Sequence, residues 1–224
     1  MRTHDLSPRE KYVESLYTEK EDRDLLSVRE RLIAAGRWGV NIGPNEGRIL
    51  QILLMMIGAR KVVEIGTLFG YSTVWMARAL MKSGTVEKPK LFTIERDHEC
   101  VRQARRSFEE CGVSEIVTTL EGEASDCLYQ IKSEGPFDLV FIDANKSAYV
   151  EYLEWAWSNV RPGGLIVADN TFLGGGVVEE SKPSHLSQNQ WSAMRLFNEL
   201  LSDESRFLAT ILPTTEGLSI AIRK

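Results

Sequence analysis

The stretch Lys61-Val62-Val63-Glu64-Ile65-Gly66-Thr67-Leu68-Phe69-Gly70-Tyr71-Ser72 decides how this chain is read. Its first five residues form a short apolar, β-branched run, as expected of a strand. Glycine follows at the strand exit, where the absence of a side chain lets backbone approach a ligand closely. Gly70 then permits a tight entry into a helix expected over 72–82. Strand, glycine turn and helix in that order open a βαβ unit. The spacing is not G-x-G-x-x-G, so a cradle for a diphosphate is not indicated.

Beyond this stretch the alternation continues. Strands are expected at 90–94, 115–119, 137–142 and 165–168, with helices at 97–111 and 148–160 between them. In the first of those helices Val101, Ala104, Phe108 and Cys111 fall on one face at 3-4-3 spacing. Alternating elements imply a largely parallel sheet covered by helices on both faces, a doubly wound α/β fold. The end departs from that pattern. After a helix near 191–201, strands at 207–212 and 218–222 flank Pro213-Thr214-Thr215-Glu216-Gly217, which predicts an antiparallel pair and brings the sheet to seven strands. Before residue 61 the chain reads as helical. Ser7-Pro8-Arg9-Glu10 has the form of a capping box. A charged helix follows over about 21–35, and Gly43-Pro44 opens a third that runs to Gly58. Its apolar residues, from Ile49 to Met56, cover most of the circumference, which predicts a buried helix.

The 224 residues suit one domain, with 1–58 as its N-terminal helical part. A hydrophobic fraction of 43% and a net charge of −5 describe an ordinary soluble chain with no bias toward a polyanion partner. No apolar segment is long enough for a signal peptide or a membrane span. Cys100, Cys111 and Cys127 form no C-x-x-C pair, and the first two would lie about 16 Å apart on one helix. Reduced thiols and a cytoplasmic location are expected.

In open α/β sheets, ligands sit outside the carboxyl ends of the strands. After the second strand comes Glu95, an acid that can accept both hydroxyls of a ribose. After the third comes Glu121-Gly122-Glu123-Ala124-Ser125-Asp126, polar and small, suited to an adenine edge. The fourth strand ends in Asp143, and the fifth in Asp169-Asn170. If those strands are neighbours their ends lie about 5 Å apart. Two carboxylates and an amide oxygen then converge, a set for a hard cation such as Mg²⁺, Mn²⁺ or Ca²⁺ and not for zinc. Lys146 follows three residues after Asp143. Near a bound cation its pKa would fall, which suits a general base.

These motifs resemble those of the cation-dependent O-methyltransferases, the family of caffeoyl-CoA and catechol O-methyltransferases. The resemblance runs from about Tyr12 to the last residue. It implies the Rossmann-like methyltransferase fold with extra N-terminal helices. It implies S-adenosylmethionine as methyl donor, with S-adenosylhomocysteine as product, and a small hydroxylated aromatic acceptor. Val40 to Gly47 resembles the family segment that closes over the cofactor, with Val40 and Ile42 at contact positions. Val63 to Ser72 resembles the first cofactor motif, carrying Glu64, Gly66, Thr67 and Ser72. Glu95 matches the ribose acid, and Glu123 and Ala124 the adenine-side turn. Phe141 to Lys146 resembles the segment with a metal aspartate and the catalytic lysine, so Asp143 would serve metal, cofactor and catalysis together. Asp169-Asn170-Thr171 resembles the segment with the other two ligands. A homodimer is also implied.

Two departures stand out. Plant members carry an aromatic residue shortly after Asp-Asn-Thr, where this chain has Phe172-Leu173-Gly174-Gly175-Gly176. Asn145 stands where a second aspartate is common. A bacterial branch that methylates 5-hydroxyuridine in tRNA is similar enough to stand as the alternative. An NAD-dependent oxidoreductase fits the sheet and Glu95 but not the glycine spacing. A non-catalytic binding module would have no use for Asp143, Lys146, Asp169 and Asn170. The polar, glycine-rich loop 174–190 is either a mobile cover over the substrate or a surface connection.

Overall fold

The computed structural model describes residues 8–17, 21–82 and 88–224. Its helices and strands run in chain order α1 (Pro8–Tyr17), α2 (Arg23–Ala34), α3 (Pro44–Met56), β1 (Lys61–Ile65), α4 (Tyr71–Lys82), β2 (Lys90–Glu95), α5 (His98–Glu110), β3 (Val117–Glu121), α6 (Ala124–Gln130), β4 (Phe137–Ile142), α7 (Tyr149–Asn159), β5 (Val160–Ala168), α8 (Gln188–Leu201), β6 (Phe207–Leu212) and β7 (Leu218–Arg223). The strands hydrogen-bond in the order β3-β2-β1-β4-β5-β7-β6. The β2·β3, β1·β4 and β4·β5 pairs are parallel, and β7 pairs antiparallel with both β5 and β6. This is the mostly parallel, seven-stranded sheet with an antiparallel last pair that the alternating pattern predicts. The order reverses between β1 and β4, and such a switch point is where α/β sheets receive ligands.

The chain forms two compact units, Met1–Lys61 with Thr67–Cys127, and Val62–Gly66 with Leu128–Lys224. In the first, α2 starts at Asp22, whose side chain accepts from the Leu25 amide at 3.1 Å, an N-cap. The Ser7 cap proposed for α1 lies outside the described residues. Glu46 accepts from the Gly43 amide at 3.0 Å, which fixes the entry to α3. Gly47 lets the Trp75 ring lie against α3, since a Cβ there would sit 2.6 Å from that ring.

One expectation fails in this unit. α3 buries only one stripe, with Gly47, Leu50 and Leu54 inside. Ile52, Met55 and Met56 are 51%, 55% and 77% exposed. Spacing at i, i+3, i+7 places the inner stripe on one side, and Ile52, Met55 and Met56 fall outside it.

Asp22 also pairs with Arg78, which in turn reaches Asp24 at 3.0 Å. Partial burial works against the Asp22 carboxylate, but Arg78 and the helix amides outweigh it and hold its pKa below the ordinary value. Its stabilising effect is therefore complete above the unfolded carboxylate pKa and is lost as pH falls through the lower, folded value. Asp22→Ala is expected to cost about 1 kcal/mol at neutral pH, and progressively less in acid, as read by chemical denaturation across pH.

In the second unit β4 is buried at Phe137 and from Leu139 to Ile142, and β5 from Leu165 to Ala168. β5 begins earlier than the apolar run suggests, at Val160, with a register irregularity between Phe137 and Leu139 on its partner. Tyr149, Phe197 and Tyr152 cluster beneath the strand ends, with Tyr149 edge-on to Phe197 at 5.3 Å. α8 starts at Gln188, earlier than its apolar pattern, because Ser187 and Gln190 form a reciprocal capping box. No helix among the described residues is long and apolar enough to cross a membrane.

Candidate active site

The candidate site of the second unit lies where three strands stop. Ile142 pairs with Ala168 as the last register partners of β4 and β5, so Asp143 and Asp169 leave adjacent strand ends together. The Asp143 amide donates to Ile65 O at 2.9 Å and the Asp169 amide to Ile142 O at 3.0 Å, carrying the ladder one residue beyond each strand. Gly66 allows this. It has φ +103°, and a Cβ on it would lie 2.1 Å from the Asp143 carbonyl oxygen. Its lack of a side chain therefore serves a close approach within the protein, beyond the ligand approach read from the sequence. Glu64 is fully buried inside β1, opposite Phe141, and not at the strand exit.

After Asp169, Asn170 turns the chain with φ 59°, a left-handed conformation that asparagine tolerates. The next residues are clasped by the turn between β6 and β7. Thr171 and Phe172 donate their amides to Gly217 O and Glu216 O at 3.1 and 2.9 Å. Ser219 Oγ donates to Thr171 Oγ1 at 2.9 Å, and Asn198 Nδ2 donates to Thr171 O at 2.9 Å. Phe172 packs over Gly217, where a Cβ would come within 2.7 Å of its ring.

Lys146 opens a 3₁₀ turn, Lys146–Ala148, whose start is capped by Asn145 accepting from the Ser147 amide at 3.2 Å. An aspartate would cap this turn equally well, so Asn145 preserves the local geometry. Lys146 Nζ donates to Asp143 Oδ1 at 2.8 Å and to Tyr149 Oη at 2.7 Å. Burial lowers the Lys146 pKa, but the Asp143 charge and the two hydrogen bonds win and raise it above the ordinary lysine value. In the chain alone Lys146 is therefore an ammonium, and the fall anticipated for this group belongs to a different charge state of the site. Burial is also the main reason that the Tyr149 phenol is raised.

The donor set fits a hard cation. Asp143, Asp169 and Asn170 offer oxygen ligands from one pair of strand ends, and Asp169 is fully buried. Among the described residues no cluster of three or more His, Cys, Asp or Glu side chains has metal-binding geometry. A site with two carboxylates and an amide is not one of those clusters.

The first unit holds the remaining predicted residues. Glu95 ends β2, and its carboxylate accepts from the amides of Leu68 at 2.9 Å, Arg96 at 2.9 Å and Asp97 at 3.0 Å. It thereby ties the turn after β1 to the end of β2. Leu68 is held there at φ 52°. Thr67 is buried and shares a 2.5 Å hydrogen bond with Thr93. Ser72 is buried in the first turn of α4. Tyr71 donates to the buried Glu21, which also receives Arg29 at 2.6 Å. Ile42 is buried and Val40 exposed. Glu123 is exposed, 3.7 Å from Arg96, and Ala124 starts α6. The strand expected at 115–119 begins instead at Val117, because residues 114–116 form a turn closed by Ile116 N to Val113 O at 3.1 Å. Glu121 consequently ends β3 and pairs with His98 at 2.8 Å. The loop after Gly174 is tied to α8, with Trp191 Nε1 donating to Gly176 O at 2.7 Å and Arg195 to Glu179 O at 3.0 Å.

The fold is that of methyl-transferring enzymes. The O-methyltransferase family model matches residues 17–224, and the chain belongs to that family of S-adenosylmethionine-dependent enzymes. It is 39% identical over 211 residues to a catechol O-methyltransferase of Niastella koreensis, covering 91% of each protein. Among solved structures it resembles the O-methyltransferase of Bacillus cereus in complex with SAH, at 33% identity, a TM-score of 0.84 and 96% coverage of each chain. It also resembles TomG of Streptomyces achromogenes, solved with SAM, at 31% identity, a TM-score of 0.86, and coverage of 100% and 99%.

Sequence reasoning passed over Tyr149 and the Thr171–Gly217 clasp. Tyr149 stands three residues after Lys146, a helical spacing that brings side chains together and could have pointed to it. The clasp joins residues far apart in sequence and left no local signal.

Proposed function

We propose that this chain moves the methyl group of S-adenosylmethionine to a hydroxyl of a small catechol-like phenol, assisted by a divalent cation. The observation that carries this is the meeting of Asp143, Lys146, Asp169 and Asn170 at the paired ends of β4 and β5. Asp143, Asp169 and Asn170 would hold the cation, with Mg²⁺ the first choice by donor hardness and Mn²⁺ or Ca²⁺ compatible. A cation held there would lower the pKa of an acceptor hydroxyl and fix its orientation. As the neutral amine, its ammonium proton having left to solvent, Lys146 would take the hydroxyl proton at Nζ. The acceptor oxygen would form its bond to the methyl carbon as the sulfur–carbon bond breaks, leaving S-adenosylhomocysteine. Glu95 would hold the ribose, and Gly66, Thr67 and Ser72 the amino-acid end. Glu123 and Ala124 would border the adenine, with Val40 and Ile42 covering it and Glu64 and Asp143 completing the cofactor contacts. The family match runs through both compact units, which supports reading them as one domain.

The exposed Tyr12, Leu16, Ile52, Met55 and Met56 supply apolar surface for the homodimer that the family resemblance implies. Light scattering would read a mass twice that of one chain.

The direct test is methyl transfer to caffeic acid with Mg²⁺ and then with excess chelator. Transfer that the chelator abolishes, and added Mg²⁺ restores, is the expected result. Transfer indifferent to the chelator would remove the cation from the reaction. Intact cofactor binding without transfer to any catechol would assign the chain another acceptor, with 5-hydroxyuridine in tRNA the next to try.

A further inference from the structure

We propose that Tyr149 is the positioning residue of the base: its phenol, anchored on the Asp169 carbonyl, sets the one direction from which Lys146 Nζ can meet an acceptor hydroxyl. This rests on the reading of Lys146 as proton acceptor, and adds to it a residue that none of the motifs above includes.

Tyr149 is fully buried, and its ring lies against Phe197 and Tyr152 at 5.3 and 6.3 Å, so the hydroxyl has one fixed location. It carries a single hydrogen. Two of its neighbours are backbone carbonyls, Asp169 O at 2.9 Å and Ile142 O at 3.4 Å, and carbonyls only accept. The hydrogen therefore goes to Asp169 O, the nearer of the two. Only lone pairs remain for the third neighbour, Lys146 Nζ at 2.7 Å, and Lys146 must be the donor there.

The geometry at nitrogen follows. Nζ is tetrahedral, with Cε at one corner and three staggered positions left. One faces Asp143 Oδ1 at 2.8 Å and one faces Tyr149 Oη. A carboxylate can only accept, and this phenol is committed to accepting, so both positions require N–H. In the neutral amine, which has just two hydrogens, the lone pair is left with the third position. With Asp143 alone as anchor, the second hydrogen and the lone pair could exchange places, and the amine could drift toward the vacated side. Tyr149 removes that freedom. The same phenol grips the backbone of Asp169, so the base and a candidate ligand residue share one rigid reference point.

The experiment is Tyr149→Phe, which keeps the ring and removes the acceptor. A fall in kcat of about 10- to 100-fold is expected, in line with the cost of small misplacements of reacting groups. The KM for the catechol and the Kd for S-adenosylhomocysteine should stay within twofold. Tyr152→Phe, the same change one turn further along α7, should leave kcat unaltered. A second readout needs neither cation nor turnover. Lysine Nζ nitrogen-15 NMR of the apo wild type should show one slowly exchanging ammonium signal that disappears in Lys146→Met and broadens in Tyr149→Phe. Wild-type kcat in Tyr149→Phe would overturn the proposal, as would a loss appearing equally in KM and Kd. No protected ammonium signal in the wild type would also overturn it, whether or not the variant folds. If Lys146→Met itself turns over normally, the underlying reading of the base fails instead, and the two failures are thereby distinct.

Discussion

Asp169→Ala is expected to abolish cation-dependent methyl transfer, lowering kcat at least 10³-fold. The carboxylate is fully buried at the end of β5, beside Asp143 at the end of β4. A buried carboxylate carries a desolvation cost, which a cation held at this strand end would offset. The backbone contact to Tyr149 uses the Asp169 carbonyl and survives the substitution. Manganese binding followed by electron paramagnetic resonance should weaken at least 100-fold alongside the activity, with thermal unfolding measured in parallel. Near-native turnover, or a large drop in melting temperature with cation binding retained, would show that Asp169 is not a ligand.

Gly66→Ala is expected to damage both halves of the reaction at once. The residue sits at φ +103°, where a side chain is strained, and its new Cβ would press on the Asp143 carbonyl at 2.1 Å. That neighbour is backbone and cannot swing away. Either β1 or the end of β4 must move, and Asp143 moves with it. The strain and the displaced strand end together should cost about 3 kcal/mol or more. Calorimetry with S-adenosylhomocysteine should show weakened binding, and kcat at saturating cofactor should fall as well. A variant that lost only cofactor affinity, with kcat and stability intact, would mean that Gly66 serves the ligand alone.

The parts of this fold that were legible in the sequence share one property: their signals are local. β1, β4 and β6 lie where short apolar runs stop at Gly66, Asp143 and Pro213. The candidate ligands were legible because strand ends are predictable once the alternation is seen. What escaped depends on distant partners. Glu115 and Ile116 have strand-like neighbours, yet a turn closed on Val113 claims them before β3 can start. The outward side of α3 has the composition of a core, and composition cannot say which stripe finds a neighbour. Tyr149 has an ordinary setting in α7; its role depends on a carbonyl twenty residues onward.

The clasp on Thr171 and Phe172 bears on the order in which a newly made chain becomes competent. A nascent polypeptide that has reached Leu201 already contains every candidate ligand, the lysine and its phenol. It still has no Glu216, Gly217 or Ser219 to grip the segment after Asn170. Synthesis runs at roughly 5–20 residues each second, so the ligand-bearing loop exists for about a second or more before the residues that restrain it are made. Ligand capture before that moment would have to work on an unfastened loop, and competence arrives with the closing hairpin.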